Sequence, residues 1–220
     1  MTVSREKTRL YDLFAELGRA LSSPGRLELL DLLSQAPRTV EQLAAETRMS
    51  VGNTSQHLQR LKQARLVEVQ QEGKLRRYRL ATPAVGQLLH TLSSVAQQQL
   101  AEVEQALNAY RSHRHEFERV TVQQLQMRLQ TGDVILIDVR PEVEYQSGNL
   151  PGARSLPLSK IQQALAALPD DKLVVAYCRG PYCVMADQAL SILKEQGREV
   201  ARLEEGVTEW QLAGQPISRN

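Results

Sequence analysis

The pattern of apolar residues changes near residue 120, and this change constrains the fold more than any other feature of the sequence. Upstream, apolar residues recur every three or four positions, as on one face of a helix. Downstream, continuous apolar runs at 134–137 and 173–176 alternate with helical stretches, which is typical of strands buried on both faces of a sheet. We therefore predict two domains, a mainly α domain at 1–117 and an α/β domain with a mostly parallel sheet at 118–220.

The first domain is predicted to contain helices followed by a hairpin. Ser23–Pro24, Thr39–Gln42 and Ser50 are typical helix starts, because hydroxyl side chains cap free amides and Pro suits the first helical position. The predicted helices cover about 4–21, 24–33 and 51–64, and another helix starts at Thr39 and buries Leu43 and Ala44. The predicted strands are 66–70 and 75–80, joined by a turn in which Gly73 allows a positive φ.

A long helix is predicted at about 83–117. Leucine, valine and alanine step by three or four residues from Leu89 to Leu107, as in a coiled-coil seam. The seam either pairs with a second copy of the chain or packs against its own domain. We favour a homodimer.

Basic residues concentrate between positions 60 and 79 although the whole chain carries a net charge of only +2. Two helices joined by a short turn fit a helix-turn-helix, in which the second helix enters the major groove of double-stranded DNA. His57 in that helix either packs against its neighbours or contacts a phosphate. The predicted DNA contacts lie on that helix (Asn53, Ser55, Gln56, His57, Arg60) and on the hairpin (Lys74, Arg76, Arg77).

This half of the chain resembles the winged-helix repressors of the ArsR type. The resemblance rests on ALSSPGRLELL from Ala20, VEQLA from Val40, SVGNTSQHLQRL from Ser50, LV at Leu66 and GKLRRYRL from Gly73. It implies a homodimer that binds a palindromic operator and releases it when an inducer is sensed.

Metal sensing is disfavoured in the region where such repressors often carry a Cys-x-Cys pair. The corresponding stretch from Thr39 contains no cysteine. His113, His115 and Glu116 form a partial set of metal ligands, but we interpret them as exposed residues at the end of a helix. We expect neither a bound metal nor a cofactor.

Cys178 follows an apolar strand and precedes a short loop and a helix. This places its thiol at the carboxyl edge of the sheet, where helix-end amides and Arg179 favour the thiolate. Gly180 lets backbone donors surround an anion. With Cys183 the only other cysteine, a nucleophilic or redox role is favoured over a structural disulfide framework.

The second half of the chain resembles the rhodaneses. The motifs are IDVRPEVEY from Ile137, GNLPGA from Gly148, the Cys178 loop and LEEGVTEWQLAGQP from Leu203. The resemblance implies that Cys178 carries sulfur, that Arg179, Gly180, Pro181 and Tyr182 cradle it, and that Asp138 and Arg140 support the site. Asn149 stands where many relatives have His.

Two further features of the loop refine this prediction. Phosphatases and arsenate reductases of this fold have His before the Cys and Arg six positions after it, whereas this chain has Tyr177 and Val184, so their substrates are disfavoured. Cys183 either resolves a persulfide on Cys178 into a disulfide or polysulfide bridge, or is a small buried residue.

Three functions fit these domains. The first is a cytoplasmic regulator, most simply a repressor, that senses sulfane sulfur or redox state through Cys178. The second is a thiosulfate or persulfide sulfurtransferase with an accessory DNA-binding domain, and the third uses the rhodanese half as an inert partner-binding module. We expect no membrane partner, because the N-terminus resembles no secretory signal and no apolar run approaches the roughly 18 residues that span a bilayer.

Overall fold

The computed structural model describes residues 2–111, 114–165 and 168–219, with side chains described from residue 5 onward. The chain forms two compact units, residues 1–94 and 95–220. This division lies upstream of residue 117, where the sequence analysis ended the first domain, because residues 95–116 belong by their contacts to the second unit. None of the helices in the described ranges is long and apolar enough to cross a membrane.

The first unit contains the predicted helices and hairpin. The capping box of Thr39 and Gln42 is present, and Ser50 Oγ accepts a hydrogen bond from the backbone N–H of Asn53. Ser23 precedes the second helix as predicted, although its side chain makes no capping bond. Gly73 adopts φ +61° in the hairpin turn. The elements are α1 (Thr2–Leu21), α2 (Pro24–Gln35), α3 (Val40–Thr47), α4 (Val51–Gln63), β1 (Val67–Glu72), β2 (Leu75–Leu80) and α5 (Pro83–Gln99).

The core of the first unit lies where α2, α3 and α4 meet the hairpin. Leu29, Leu43 and Leu58 are completely buried there. Helix α1 contributes Ala20 and Leu21 to this core, whereas its large apolar side chains between residues 10 and 17 remain exposed. Helix α5 likewise buries Val85 and exposes Leu88, Leu92 and Val95. Exposed on α1 are Leu10, Tyr11, Leu13, Phe14 and Leu17.

The second unit is built on a five-stranded sheet within the described residues. The strand order is β3-β7-β6-β4-β5, and every pairing is parallel, as predicted for most of the sheet. The elements after α5 are α6 (Ala101–Tyr110), β3 (Glu118–Val120), α7 (Val122–Thr131), β4 (Val134–Asp138), α8 (Glu142–Ser147), β5 (Arg154–Ser155), α9 (Ile161–Ala164), β6 (Leu173–Tyr177), α10 (Met185–Glu195), β7 (Val200–Leu203) and α11 (Val207–Leu212).

Both faces of this sheet are covered, which explains the continuous apolar runs. On β6, Val174 and Ala176 pack against one core that includes Leu190 of α10. Val175 and Tyr177 point to the other core, which includes Trp210 of α11. Because the side chains of a strand alternate between faces, each face requires its own apolar set.

The segment predicted as one long helix at 83–117 is divided in the structure. Helix α5 ends at Gln99 and α6 begins at Ala101, because Leu100 adopts an extended conformation with φ −116° and ψ 102°. No Gly or Pro marks this break, and the apolar residues keep their helical spacing across it. The sequence pattern therefore predicted one uninterrupted helix. The single continuous seam is therefore replaced by two shorter helices.

Candidate functional site

Cys178 lies immediately after β6, at the carboxyl end of the sheet, and its loop leads into α10. The residue is completely buried. Backbone N–H groups of Gly180 and Ala186 point to its sulfur, and Ala186 lies in the first turn of α10. The loop thus presents backbone donors to an anion on the Cys178 sulfur, in the manner expected of a helix N-terminus.

Arg202 is the positively charged group next to the thiol. Its Nη1 and Nη2 atoms each lie 4.0 Å from Cys178 Sγ, although it is 24 positions away in the chain. Nη2 also donates to the carbonyl of Cys183 at 3.2 Å, and Nη1 lies 3.3 Å from Asp187 Oδ1. Strand β7 holds this guanidinium in the buried layer beside β6.

These surroundings separate the acidities of the two cysteines. Burial raises the pKa of Cys178, but the hydrogen bond from the Cys183 side chain, the charge of Arg202 and the two backbone donors outweigh burial and lower this pKa to about 6. The pKa of Cys183 is raised, first by its hydrogen bond to Cys178 and then by burial. At neutral pH, Cys178 is therefore the thiolate and Cys183 the thiol.

Arg179, which the sequence suggested as a charge near the thiol, forms an ion pair with Glu144 instead. Its Nε lies 3.0 Å from Glu144 Oε1, and its Nη2 lies 2.6 Å from the same oxygen. Glu144 is completely buried, so this ion pair fixes the start of the loop against α8. The charge next to Cys178 comes instead from Arg202.

Gly180 is required by both conformation and space. Its φ is +119°, and a Cβ placed on it would lie 2.5 Å from Glu209 Oε2. The same oxygen accepts the backbone N–H of Gly206 at 2.9 Å, at the start of α11. A Cβ on Gly206 would lie 2.6 Å from the backbone nitrogen of Gly180. The two glycines therefore let the loop and the start of α11 approach each other closely.

Asp138 and Arg140 form a buried network with the last residue of the strand that leads to Cys178. Arg140 Nη2 donates to Asp138 Oδ2 at 2.6 Å, and the hydroxyl of Tyr177 donates to the same oxygen at 2.6 Å. All three residues are completely buried. Because Tyr177 directly precedes Cys178, this network fixes the end of β6.

Arg114 holds the other end of the cysteine loop. It precedes β3 and is buried, and its Nη2 donates to the carbonyl of Cys183 at 2.6 Å. Its Nη1 donates to the carbonyl of Pro181 at 2.9 Å, and Nη2 lies 3.0 Å from Asp187 Oδ2. Asp187 thus lies between Arg114 and Arg202, and Cys183 accepts hydrogen bonds from both guanidinium groups. Tyr182, between the two carbonyls, is partly exposed.

Helix α4 presents the predicted polar face. Asn53, Gln56 and Arg60 are exposed and Ser55 is half-buried. On the opposite face Thr54, Leu58 and Leu61 are buried, whereas Val51, at helical spacing from them, is exposed. The reason is its position as the first helical residue, one turn before the core begins.

His57 is half-buried, and its ring lies against Gly25 at the start of α2. The pKa of His57 is lowered by burial and then by the charges of Arg26 and Arg60. This environment favours the packing interpretation over a phosphate contact.

The basic residues of the hairpin point to two different faces. Arg76 lines a cleft with Gln59 and Lys62 of α4. Arg77 is on the other face, where its Nε lies 2.8 Å from Glu72 Oε2, and Lys74 is exposed at the turn. Within the described part of the chain, Arg76 has no acidic partner, so the predicted contacts near α4 carry uncompensated positive charge.

Among the described residues, no group of three or more histidine, cysteine, aspartate and glutamate side chains could hold a metal ion. His113, one of the three residues weighed as a partial ligand set, lies outside the described residues. His115 and Glu116 form a short 3-10 turn with Arg114.

Comparison with known proteins assigns the two halves. Residues 23–69 match the family "Bacterial regulatory protein, arsR family", and residues 121–213 match the rhodanese-like domain. The HTH-type transcriptional regulator Rv0324 of Mycobacterium tuberculosis is 42% identical over 214 residues, which cover 97% of this chain and 94% of that protein. The chain belongs to the arsR family of bacterial regulatory proteins. This regulator also carries a rhodanese-like domain, so both resemblances seen in the sequence are confirmed.

Two further matches each cover one half of this arsR-family regulator. A sulfurtransferase of Allochromatium vinosum is 36% identical over 88 residues, covering 40% of this chain and 80% of that protein. The homodimeric winged helix-turn-helix domain Mb0332 of Mycobacterium bovis, solved by NMR, is 40% identical and has a TM-score of 0.42, covering 44% of this chain and 89% of that one.

Several residues around the cysteine loop were missed by sequence reasoning. Arg202 and Arg114 approach the loop from distant parts of the chain, and Glu144 comes from a helix that no pattern indicated. One signal was present: Arg202 interrupts the apolar strand VARL at 200–203 of a sheet buried on both faces. A charged residue in such a strand must have a buried partner, which here is Asp187.

Proposed function

We propose that this arsR-family regulator is a repressor that senses sulfane sulfur or redox state through Cys178. The observation that carries the proposal is the lowered pKa of the buried Cys178 thiol beside Arg202, in the same chain as a winged helix-turn-helix. A thiolate is the form that attacks sulfur. A regulator needs only one reaction per signal, so complete burial of the thiol is compatible with sensing.

The proposed chemistry begins with a polysulfide. The Cys178 thiolate attacks a terminal sulfur, the sulfur–sulfur bond breaks, and the shortened polysulfide leaves, so that Cys178 becomes a persulfide. The anionic outer sulfur of the persulfide takes the proton of the Cys183 thiol, the resulting thiolate attacks Cys178 Sγ, and the outer sulfur leaves as hydrosulfide. The two cysteine sulfurs are oxidised to a disulfide, and the expelled sulfur is reduced.

The second step requires the two cysteine sulfurs to lie close together. The raised pKa of Cys183 results chiefly from its hydrogen bond to Cys178, so the Cys183 sulfur is held beside the sulfur that it would attack. The step also changes the loop. A disulfide removes the thiolate from Arg202 and shifts the Cys183 carbonyl, which both Arg202 and Arg114 bind.

For DNA binding, we infer a homodimer that reads two half-sites. The helix-turn-helix of one chain reads one half-site, and two copies related by a two-fold axis match a palindrome. The exposed apolar side chains of α1 and α5, among them Leu13, Phe14 and Leu92, form the surface that we assign to the second copy.

The test uses a DNA duplex that the reduced protein selects from a random pool. Fluorescence anisotropy measures its affinity before and after treatment with inorganic polysulfide. We expect a loss of at least about tenfold for the wild type, which lies within the usual range of allosteric coupling. Cys178→Ser should keep the affinity of the reduced protein, and Cys183→Ser should retain the persulfide without forming the disulfide.

Mass spectrometry identifies the product on each sulfur. Trypsin cleaves after Lys172 and Arg179, so Cys178 and Cys183 fall on different peptides, and a disulfide joins the two. If Cys178 is fully modified and the affinity for DNA is unchanged, the sensing proposal is wrong.

A second function, sulfur transfer, is favoured by one specific observation. The rhodanese half is 36% identical to the Allochromatium sulfurtransferase and 31% identical to thiosulfate sulfurtransferase GlpE of Pseudoalteromonas translucida over 99 residues. In that reaction, Cys178 would take the sulfane sulfur of thiosulfate, releasing sulfite, and cyanide would remove it as thiocyanate. Sustained thiocyanate release would favour the enzyme, and a single stoichiometric persulfide would favour the sensor.

A further inference from the structure

The end of helix α6 places a guanidinium group beside the cysteine loop. The Cζ atom of Arg111 lies 5.8 Å from the centre of the Tyr182 ring, in a cation–π contact. The Tyr182 hydroxyl lies 2.5 Å from Gln97 Nε2, which holds the ring from the side of α5. Tyr182 thus contacts one residue on each side of the break at Leu100, Gln97 before it and Arg111 after it.

Within the described residues, two nitrogens of Arg111 have no acceptor. Its Nε and Nη2 atoms are buried, and neither has a hydrogen-bond partner within the described residues. Leaving buried donors of a charged group without acceptors costs free energy, and a bound anion would satisfy such donors. The Tyr182 ring that this guanidinium contacts belongs to the loop between the two cysteines.

The charges around Arg111 favour an anion. Arg114 and Arg202 lie close enough to lower the pKa of Arg111, after burial as the main cause, and Glu204 acts against them. Asp187 is already shared between Arg114 and Arg202. The pKa of Tyr110, the neighbour of Arg111, is raised by burial and then by the charges of Cys183 and Cys178, so this end of α6 is within electrostatic range of both sulfurs.

We propose that Arg111 binds the anionic sulfur donor, a polysulfide or thiosulfate, and positions it for attack by Cys178, with Tyr182 holding the guanidinium in place. The proposal rests on the proposed reaction of Cys178 with sulfane sulfur, and it adds a specificity residue from outside the segment 121–213 that matches the rhodanese-like domain. The rate at which a neutral electrophile of the same size reacts with Cys178 should not depend on the charge of Arg111.

The experiment compares two alkylating reagents that differ in charge. Iodoacetate is an anion and iodoacetamide is its neutral analogue, and both are attacked by the thiolate with loss of iodide. The ratio of their rates at Cys178, measured on the 173–179 tryptic peptide, cancels changes in the pKa of the thiol. The variants are Arg111→Gln, Arg111→Lys, which keeps the charge, and Arg154→Gln as a control on the exposed strand β5.

We expect Arg111→Gln to lower the iodoacetate-to-iodoacetamide ratio by about tenfold, the size of one charge-assisted hydrogen bond, and to slow persulfide formation by polysulfide similarly. Arg111→Lys should keep most of the ratio, and Arg154→Gln all of it. An unchanged ratio in Arg111→Gln overturns the anion site. If instead the ratio falls but wild-type Cys178 never forms a persulfide, the anion site stands and the proposed function fails.

Discussion

Removal of the Arg202 charge should raise the pKa of Cys178, because this guanidinium is the cation next to the sulfur. Two of its nitrogens lie 4.0 Å from Sγ. At that distance two unit charges interact by roughly 4 kcal/mol with an effective dielectric constant of about 20. Asp187 Oδ1, 3.3 Å from Nη1, cancels part of this attraction. We therefore expect Arg202→Gln to raise the pKa by about one to two units, since one unit corresponds to about 1.4 kcal/mol.

The assay is the pH dependence of iodoacetamide alkylation, followed on the tryptic peptide that contains Cys178. The wild type should reach half of its maximal rate near the pKa of about 6. The midpoint should move toward neutral or mildly alkaline pH in Arg202→Gln and remain closer to the wild type in Arg202→Lys, which keeps the charge. Arg154→Gln controls for the loss of any one surface charge. An identical midpoint in the wild type and Arg202→Gln would refute the assignment of Arg202.

Three further predictions concern stability, loop geometry and DNA. Folding lowers the pKa of Cys178 from 9.0 to about 6, so its contribution to the free energy of unfolding is full above pH 9 and is lost as pH falls through 6. Urea titration under reducing conditions should show the free energy of unfolding rising with pH between these values, by up to about 1.4 kcal/mol per pH unit, and this slope should be missing in Cys178→Ser. Gly180→Ala should abolish alkylation at Cys178, whereas Gly132→Ala, also at positive φ but with nothing within 4 Å of the added Cβ, should lower only stability, by about 1 kcal/mol. Arg76→Ala should weaken DNA binding and lower its salt dependence more than Arg77→Ala, as measured by anisotropy from low to moderate salt.

The fold was predictable from the sequence wherever one physical rule governed a segment. Capping boxes and the hairpin glycine located helix and strand ends to within a few residues, and the continuous apolar runs identified β4 and β6 as strands buried on both faces. Helix α8 and strand β3 were missed, because six and three residues are too short for a period to emerge. The break at Leu100 was missed because no residue of low helix propensity marks it.

Only the part of the site that is formed by residues close together in the sequence could be predicted. Cys178 could be found because a cysteine directly after a buried parallel strand lies at the functional edge of the sheet. The identity of its counter-charge could not be found in the same way. Arg179 is adjacent in sequence, yet its side chain pairs with the buried carboxylate of Glu144. Arg202 reaches the sulfur only because β6 pairs with β7.

The position of Arg114 determines where the proposed sensing unit begins. Its guanidinium binds two loop carbonyls and shares Asp187 with Arg202, and all of these groups are buried or partly buried. A chain cut at residue 118 would leave Asp187 with one of its two cations and the carbonyls of Pro181 and Cys183 without this donor, and breaking a buried ion pair typically costs about 3–5 kcal/mol. The cysteine loop therefore depends on residues that precede the rhodanese-like segment, and a signal that alters the loop acts directly on the chain that leads back to α6.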